Sequence, residues 1–137
     1  MNYFLLTLGS NTKDGAILMS KAIDEIKNIS DNSIFSSVYS TIAEGKGYSG
    51  TYLNCVALIY TNKEILFWED YFKELEIRYG RDENCRKNKI VPIDADITIW
   101  NNDIIRSVNL KMNYIKKGIE ELKTTGCQIP DFLFCAK

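Results

Sequence analysis

The sequence predicts an α+β fold, a ferredoxin-like βαββαβ sandwich with an additional C-terminal helix. Short β-rich runs alternate in that order with segments whose apolar residues recur at helical spacing. The chain has 137 residues, enough for one domain to bury most of its apolar surface without cross-links. We therefore expect residues 1–137 to form a single domain in which two helices cover one sheet face and the other face stays open for a ligand.

The first half of the chain predicts a strand, a helix and two further strands. Residues 3–8 are an apolar run that ends in a Gly-Ser-Asn turn, as in a buried strand. From Gly15 to Ile29 the apolar residues recur at helical spacing. Two β-rich stretches follow, Ser33 to Thr41 and Tyr52 to Tyr60. The glycines within residues 44–50 indicate a ligand-facing loop between them.

The second half predicts a helix, a strand and a last helix. Residues 61–64, Thr-Asn-Lys-Glu, fit a capping box, and the apolar stripe that follows runs to Gly80, which ends the helix. That stripe consists of Ile65, Trp68, Phe72, Leu75 and Tyr79. Residues 90–100 form an apolar, β-rich run. Lys111 to Lys123 predicts an amphipathic helix that ends at Gly126.

The composition excludes several classes of function. Seventeen basic and eighteen acidic residues leave a net charge of -1, which argues against nucleic acid as the main partner. The chain has no histidine, and its four cysteines lack CxxC spacing, so zinc fingers and histidine-ligated metals are excluded. We expect reduced thiols in a cytoplasmic protein. No run approaches the roughly 18 apolar residues of a membrane span, so we expect no membrane partner.

Two aspartates, Asp94 and Asp96, are the clearest indication of chemistry. Side chains alternate along a strand, so both carboxylates point to one face, about 7 Å apart by the strand rise. The same alternation assigns Thr98 and Trp100 to their face and Ile99 to the opposite one. Two like charges this close cost stability unless a cation lies between them. A hard cation such as Mg²⁺ is the natural candidate.

A basic run precedes the aspartate strand. Five of the twelve residues from Arg78 to Lys89 are basic: Arg78, Arg81, Arg86, Lys87 and Lys89. By itself the run is typical of a solvated loop. Its position directly before the aspartate strand strengthens the alternative, a phosphate site.

Taken together, these motifs resemble a known family. The order and spacing match those of 6-hydroxymethyl-7,8-dihydropterin pyrophosphokinase (HPPK), a folate-pathway enzyme, across residues 3 to 105. The matching motifs are Leu8-Gly9-Ser10-Asn11, Tyr39-Ser40-Thr41, Tyr52-Leu53-Asn54, Glu76 with Gly80-Arg81, and Asp94-Ala95-Asp96-Ile97. Each motif is weak alone, but five in register are hard to obtain by chance.

The resemblance implies an activity and a set of site residues. Members transfer the β,γ-pyrophosphate of ATP to the hydroxymethyl group of a reduced pterin and release AMP. By resemblance, ATP is the co-substrate, two Mg²⁺ ions bind to Asp94 and Asp96, and Arg81 joins these two as a catalytic residue. The pterin is expected at Thr41, Tyr52 and Asn54. The expected ATP-binding residues are Glu76 and Arg81, to which we add Arg86 and Lys87. These two are not in register with the family pattern but could compensate for arginines that this chain lacks.

The chain departs from the family pattern at two arginine positions, which Glu83 and Val91 occupy, and it is shorter after the aspartate strand. Losing one charge-assisted contact made in the transition state can cost on the order of a hundredfold in rate. Two alternatives therefore stay open: a pyrophosphokinase with another acceptor, and a non-catalytic ferredoxin-like ligand-binding or regulatory module. The sequence leaves the oligomeric state and the fold of residues 127–137 open.

Overall fold

The computed structural model describes residues 1–42 and 50–125, which form a six-stranded sheet with helices on both faces. Most of the glycine-containing loop, Gly126 and the tail with Cys127 and Cys135 lie outside the described residues. The elements are β1 (Asn2–Ser10), α1 (Gly15–Ile29), β2 (Asn32–Phe35), β3 (Tyr39–Ile42), β4 (Thr51–Thr61), α2 (Ile65–Arg78), α3 (Glu83–Asn88), β5 (Asp94–Trp100), β6 (Asp103–Ile104), α4 (Ser107–Lys111) and α5 (Asn113–Lys123).

The order of the strands is that of a ferredoxin-like fold, as predicted. The sheet runs β2-β4-β1-β5-β6, β3 also pairs with β4, and every pairing is antiparallel. The predicted stretch from Ser33 to Thr41 is divided into β2 and β3 at Ser36, whose backbone N–H donates to the Val56 carbonyl at 2.8 Å. The Ser36 hydroxyl accepts from the Val56 N–H at 2.9 Å, so both backbone groups of Val56 in β4 have hydrogen-bond partners at the break.

The α1 and α2 helices cover one face of the sheet and bury the larger core. The stripe predicted for α2 is confirmed, because Trp68, Phe72 and Leu75 are buried. Phe4 of β1 lies at the centre of this core, with its ring centroid 5.1 Å from that of Trp68 and 5.4 Å from that of Trp100. Aromatic packing of this kind joins the middle of the sheet to α2.

The opposite face, which we expected to be open, is open over only part of its area. Helices α4 and α5 pack on one half of it and bury a second cluster. The cluster consists of Leu5, Val56, Leu58, Ile99, Leu110, Ile115, Ile119 and Leu122. These apolar side chains need cover that α1 and α2 cannot provide from the other face. The uncovered half carries the polar side chains of the strands.

The predicted capping box is wrong. Thr61 is the last residue of β4, and its hydroxyl accepts from the indole N–H of Trp68 and from the Lys63 N–H, both at 3.0 Å. A buried indole needs an acceptor, and this tertiary partner uses the oxygen that a capping box requires. The helix begins one residue after Glu64, which makes no side-chain cap.

The basic run is also more ordered than the expected loop. Residues 83–88 form α3, where the Asp82 carboxylate caps the first turn by accepting from the Cys85 N–H at 2.9 Å. The helix ends at Lys89, whose φ of 57° is left-handed. A short capped helix therefore connects α2 to the segment before β5.

A bulge at Thr98 reverses the predicted facing at the end of β5. Leu6 pairs with Ile97 but Leu5 pairs with Ile99, so one residue is extra on β5. The alternation holds from Asp94 to Ile97, but Ile99 then faces α5 and Trp100 faces α2, opposite to the prediction. On its other edge β5 pairs with β6, and there the Thr98 carbonyl accepts from the N–H groups of Ile105, at 2.9 Å, and Arg106, at 3.1 Å.

The structure describes two of the four cysteines. Cys55 and Cys85 are buried free thiols, as expected for reduced cysteines. Within residues 1–42 and 50–125, no helix has the length and apolar character needed to cross a membrane.

One carboxylate of α1 accepts hydrogen bonds from three side chains of α2 and the residue that follows it. Glu25 of α1 accepts hydrogen bonds from the Arg78 guanidinium at 2.8 Å, from the Tyr79 hydroxyl at 2.6 Å and from the Tyr71 hydroxyl at 2.8 Å. The Arg78 hydrogen bond does most to lower the pKa of Glu25, and the two tyrosines add to it against the opposing effect of burial, so the pKa is about 2.

Replacing Glu25 with Gln should make stability less sensitive to acid. Because the folded-state pKa of Glu25 is depressed from 4.5 to about 2, its contribution is present above pH 4.5 and is lost as the pH falls towards 2. The pair is partly exposed, so we expect a loss of about 1 kcal/mol at pH 7. Urea unfolding at pH values from 7 to 2.5 measures the difference in the free energy of unfolding between variant and wild type, with the exposed Glu120→Gln as control. Equal pH profiles for Glu25→Gln and wild type would contradict this role.

Replacing Gly118 with Ala should destabilise the protein, although alanine is the better helix former. A Cβ at Gly118 would overlap the side chain of Val56 and lie 2.7 Å from the Tyr39 hydroxyl, so α5 would have to move away from β4. We expect a net loss of about 1–3 kcal/mol from overpacking. Chemical denaturation measures the change, and Lys116→Ala on the exposed side of α5 is the control. An unchanged or higher stability would show that α5 tolerates displacement.

Candidate active site

The polar side chains on the uncovered half of the sheet are brought together by the register of β1. Gly9 pairs with Asn54 of β4 on one side and with Asp94 of β5 on the other. Two residues earlier on β1, and therefore on the same face, Thr7 pairs with Val56 and with Asp96. Paired residues share a face, so the amide of Asn54 and both carboxylates point to the same side. Gly9 has no side chain, which leaves the space between them open.

This arrangement forms a cavity of about 180 Å³. Six residues predicted from the sequence line it: Thr41, Tyr52, Asn54, Arg81, Asp94 and Asp96. Thr7, Gly9, Val91, Asn109 and Tyr114 complete most of the wall. The lining residues come from segments that are far apart in the sequence.

A second cavity of about 400 Å³ lies on the other side of the carboxylates, between α2 and the segment after β6. Glu69, Lys73 and Glu76 line it from α2, and Ile105 and Arg106 line it from the opposite side. Arg81, Asp94 and Asp96 line both cavities. The carboxylate pair is therefore a wall shared by two adjacent compartments.

One arginine approaches the pair from the connection between α2 and α3. The Nη1 atom of Arg81 lies 2.8 Å from Glu76 Oε1 and 3.5 Å from Asp94 Oδ1. The other oxygen of Glu76 accepts from the Ala95 N–H at 2.9 Å, so Glu76 joins the backbone of β5 to this guanidinium. Burial alone would lower the pKa of Arg81, but the carboxylates of Glu76 and Asp94 outweigh it and raise the pKa. Arg81 is thereby held as a cation beside Asp94.

The carboxylate pair is under electrostatic repulsion. The side chains of Asp94 and Asp96 are 43% and 21% exposed. Burial and then the negative charge of Asp94 raise the pKa of Asp96 to about 7, against the opposing charge of Arg106. Burial likewise raises the pKa of Glu76, with Asp94 adding to it and the Ala95 N–H opposing it. A cation between the carboxylates would relieve this repulsion, and oxygen ligands suit Mg²⁺.

The protein offers few carboxylates to such an ion. Within residues 1–42 and 50–125, no group of three or more His, Cys, Asp or Glu side chains is arranged to hold a metal. The arrangement fits Mg²⁺ bound through one or two carboxylates, with the remaining ligands coming from phosphate oxygens and water.

The other end of the first cavity presents hydrogen-bonding groups and an aromatic ring. The Asn54 amide donates to the Thr41 hydroxyl, and Asn54 is only 4% exposed. The Tyr52 hydroxyl accepts from the Asn11 amide at 3.2 Å. These three predicted residues are thus brought together, with their polar groups held in place by neighbours.

Asn11 explains the Gly-Ser-Asn motif in structural terms. Its side-chain amide also donates to the Lys89 carbonyl at 2.9 Å, and its side-chain oxygen accepts from the Val91 N–H at 2.6 Å. The end of β1 is therefore tied to the segment between α3 and β5, next to the cavity. The motif positions the wall of the site.

Two predicted residues are not brought to the cavities. Arg86 and Lys87 lie in the last turn of α3, and neither lines either cavity within the described part of the chain. Their role in binding ATP stays a prediction, as does that of Glu76, although Glu76 does line the second cavity.

Sequence reasoning missed Arg106, Asn109 and Tyr114. Asn109 and Tyr114 belong to α4 and α5, and the only signal there was an amphipathic helix expected from Lys111. Arg106 belongs to no periodic pattern, and its position depends on the β5–β6 hairpin, where its N–H donates to the Thr98 carbonyl at 3.1 Å. No feature of the sequence pointed to it.

The match to the sequence model of one family decides the relationship of this chain to known proteins. The model of 7,8-dihydro-6-hydroxymethylpterin-pyrophosphokinase (HPPK) matches residues 5–132. The chain belongs to the HPPK family. The resemblance found in the motifs is confirmed.

Two relatives illustrate the similarity. The chain is 31% identical over 110 residues to a 2-amino-4-hydroxy-6-hydroxymethyldihydropteridine pyrophosphokinase of Aquifex aeolicus (strain VF5), a match that covers 78% of this chain and 66% of the relative. It thus spans just under two thirds of that protein. A crystal structure of HPPK-DHPS in complex with substrates is similar with a TM-score of 0.46 and 15% identity, over 99% of this chain and 35% of that one.

Replacing Asp96 with Asn should stabilise the ligand-free protein at high pH. Because the pKa of Asp96 is raised to about 7, ionisation destabilises the fold, and stability falls as the pH rises through that value. We expect a higher thermal midpoint for the variant at pH 8 in EDTA, by about 4 °C for each kcal/mol relieved, and a smaller difference at pH 5. The exposed Asp70→Asn serves as control. An unchanged or lower midpoint at pH 8 would contradict the repulsion.

Proposed function

We propose that this member of the HPPK family transfers the β,γ-pyrophosphate of ATP to 6-hydroxymethyl-7,8-dihydropterin, giving AMP and the pterin diphosphate for folate biosynthesis. One observation carries the proposal. The six residues that the resemblance assigns to the pterin and to the reacting phosphates line a single cavity, and the carboxylate pair separates that cavity from a second, larger one.

The polar end of the first cavity supports the acceptor. The amide of Asn54 and the hydroxyl of Thr41 offer donors and acceptors to the edge of a pterin, and the ring of Tyr52 offers a stacking surface. Asn54 is buried and joined to Thr41 by a hydrogen bond. A heterocycle that satisfies both groups is favoured over one that leaves either unpaired.

The charges around the carboxylates support the donor. Arg81 lines both cavities, so its guanidinium can contact a phosphate chain that extends from the second cavity into the first. We propose that the nucleotide occupies the second cavity with its β-phosphate beside Asp94 and Asp96. When Mg²⁺ binds to these carboxylates, it supplies the positive charge that neutralises the phosphates.

The reaction then depends on alignment rather than on covalent help from the protein. The hydroxymethyl oxygen of the pterin bonds to the β-phosphorus of ATP. The bond between that phosphorus and the oxygen that bridges to the α-phosphorus breaks, and AMP leaves with this oxygen. The hydroxyl proton of the pterin passes to solvent. Asn54 and Thr41 orient the acceptor. Arg81 stabilises the charge that develops on the transferred phosphates.

We expect the partners to be small molecules. We expect the protein to act in the cytoplasm. The net charge of -1 supports the absence of a nucleic-acid partner. The buried free thiols of Cys55 and Cys85 support a reducing compartment.

An assay of AMP release tests the proposal. With ATP, Mg²⁺ and the pterin, we expect the wild type to release AMP and Asp94→Ala to lose at least a hundredfold in rate, because one charge of the carboxylate pair is gone. We expect Asn54→Ala to raise the KM for the pterin more than that for ATP. Lys21→Ala, on the exposed side of α1, controls for the loss of a charge far from the site.

Other outcomes separate the alternatives. A thermal shift with the pterin but no AMP release would favour a non-catalytic ligand-binding module. AMP release with other hydroxymethyl compounds but not with the pterin would favour a different acceptor. No shift with any ligand would overturn the proposed function.

A further inference from the structure

We propose that Tyr39 is a positioning residue for the acceptor, because its hydroxyl joins the first turn of α5 to the strand that carries Thr41. The inference rests on the proposed function and deepens it, since it makes the geometry of the acceptor site depend on a residue that lines neither cavity within the described part of the chain.

Tyr39 belongs to the same face of the sheet as the acceptor residues. It pairs with Asn54 of β4, and paired residues share a face. Thr41 follows two residues later on β3, so its side chain points to the same side. Thr41 and Asn54 line the first cavity, whereas Tyr39 is only 8% exposed. Tyr39 therefore lies in the row beside the acceptor groups, where the sheet meets α5.

The hydroxyl of Tyr39 bonds to the backbone of α5. It donates to the Tyr114 carbonyl, in the first turn of the helix. Burial is the largest cause that raises the pKa of Tyr39, and a hydrogen bond from the Gly118 N–H opposes this effect. The Tyr114 carbonyl and the Gly118 N–H have the four-residue spacing of a helical hydrogen bond. The hydroxyl keeps its proton and engages both groups, so β3 and this turn of α5 are fixed against each other.

Glycine at position 118 makes this contact possible. A Cβ there would lie 2.7 Å from the Tyr39 hydroxyl and would overlap the Val56 side chain, so a larger residue would displace one or the other. The closest approach of α5 to the strands is therefore also the point where the hydroxyl reaches the backbone of the helix.

Polar contacts in the first and last turns of α5 join it to the segment from Ser37 to Tyr39. In the last turn, the Glu121 carboxylate accepts from the Ser37 N–H at 2.6 Å and from the Ser37 hydroxyl at 3.0 Å. In the first turn, the contact is that of the Tyr39 hydroxyl. The first-turn contact acts directly on Tyr114, which lines the first cavity. The position of that part of the wall relative to Thr41 therefore depends on Tyr39.

The proposed reaction requires this wall to be fixed. The hydroxymethyl oxygen must lie in line with the β-phosphorus, and a displacement of about 1 Å can cost on the order of 100-fold in rate. Thr41 and Asn54 come from the strands, while Tyr114 and Asn109 come from the C-terminal helices. The Tyr39 hydroxyl ties these two parts together. No described residue of α5 lines the second cavity, so the nucleotide should be little affected.

Removing the hydroxyl alone tests the inference. Tyr39→Phe keeps the ring, and with it the contact of the Lys117 ammonium, 4.9 Å from the ring centroid. By calorimetry we would measure the affinity for α,β-methylene ATP with Mg²⁺, and then the affinity of the analogue-saturated protein for the pterin. We expect Tyr39→Phe to weaken pterin binding by about 3- to 10-fold, the effect of one lost hydrogen bond, and analogue binding by less than about twofold. In the assay of AMP release, the KM for the pterin should rise while the KM for ATP does not.

A matched control separates positioning from a loss of stability. Tyr71→Phe removes another hydroxyl, which donates to Glu25 at 2.8 Å on the opposite face of the sheet. We expect both variants to lower the thermal midpoint, but only Tyr39→Phe to weaken pterin binding selectively.

Three results would overturn the inference: pterin binding by Tyr39→Phe less than about 3-fold weaker than by wild type, an equal loss of both ligands, or the same loss in Tyr71→Phe. If Tyr39→Phe does not fold, Gly118→Ala decides by the same selective loss, because its Cβ would displace the same hydroxyl while the ring of Tyr39 remains.

The outcomes also distinguish this inference from the proposed function. Wild type that releases AMP, with a Tyr39→Phe variant that binds the pterin normally, would overturn only the role of Tyr39. Wild type that binds the pterin more tightly than Tyr39→Phe does but releases no AMP would overturn the pyrophosphokinase activity and retain the positioning role. Wild type with no measurable pterin binding would overturn both.

Discussion

The pairing of β1 with β4 on one side and β5 on the other is the constraint on which the site depends. It places Gly9 between Asn54 and Asp94 and aligns Asp96 with Thr7 in the next row. Because side chains alternate along a strand, a slip of one residue would turn Asn54 or the two carboxylates into the core beneath α1 and α2. The same register that buries Phe4 therefore exposes the polar groups on the opposite face.

That register also concentrates negative charge. Asp94, Asp96 and Glu76 lie close together, and the pKa values of Asp96 and Glu76 are raised, so the ligand-free site is destabilising when fully ionised. Arg81 and Arg106 reduce the repulsion without removing it. A cation bound between the carboxylates would relieve this repulsion and so stabilise the folded state.

The extent of the open face is decided by helix packing. Gly118 lets α5 come close to Val56 of β4, and α5 with α4 covers the apolar half of the second face. Tyr114 and Asn109, carried by these helices, then form part of the cavity wall. The C-terminal helices thus complete the core and also bound the site.

The sequence by itself determined the order of the main strands and helices, the helical stripes, the shared facing of Asp94 and Asp96, and the family, because these depend on local periodicity and on motif spacing. The tertiary structure alone decided the bulge at Thr98, the tertiary use of Thr61 and the position of Arg106. These features depend on hydrogen bonds and packing between different elements, which the spacing of apolar residues does not record. A bulge changes the facing of every residue after it, and no local pattern records which carbonyl a distant N–H will find.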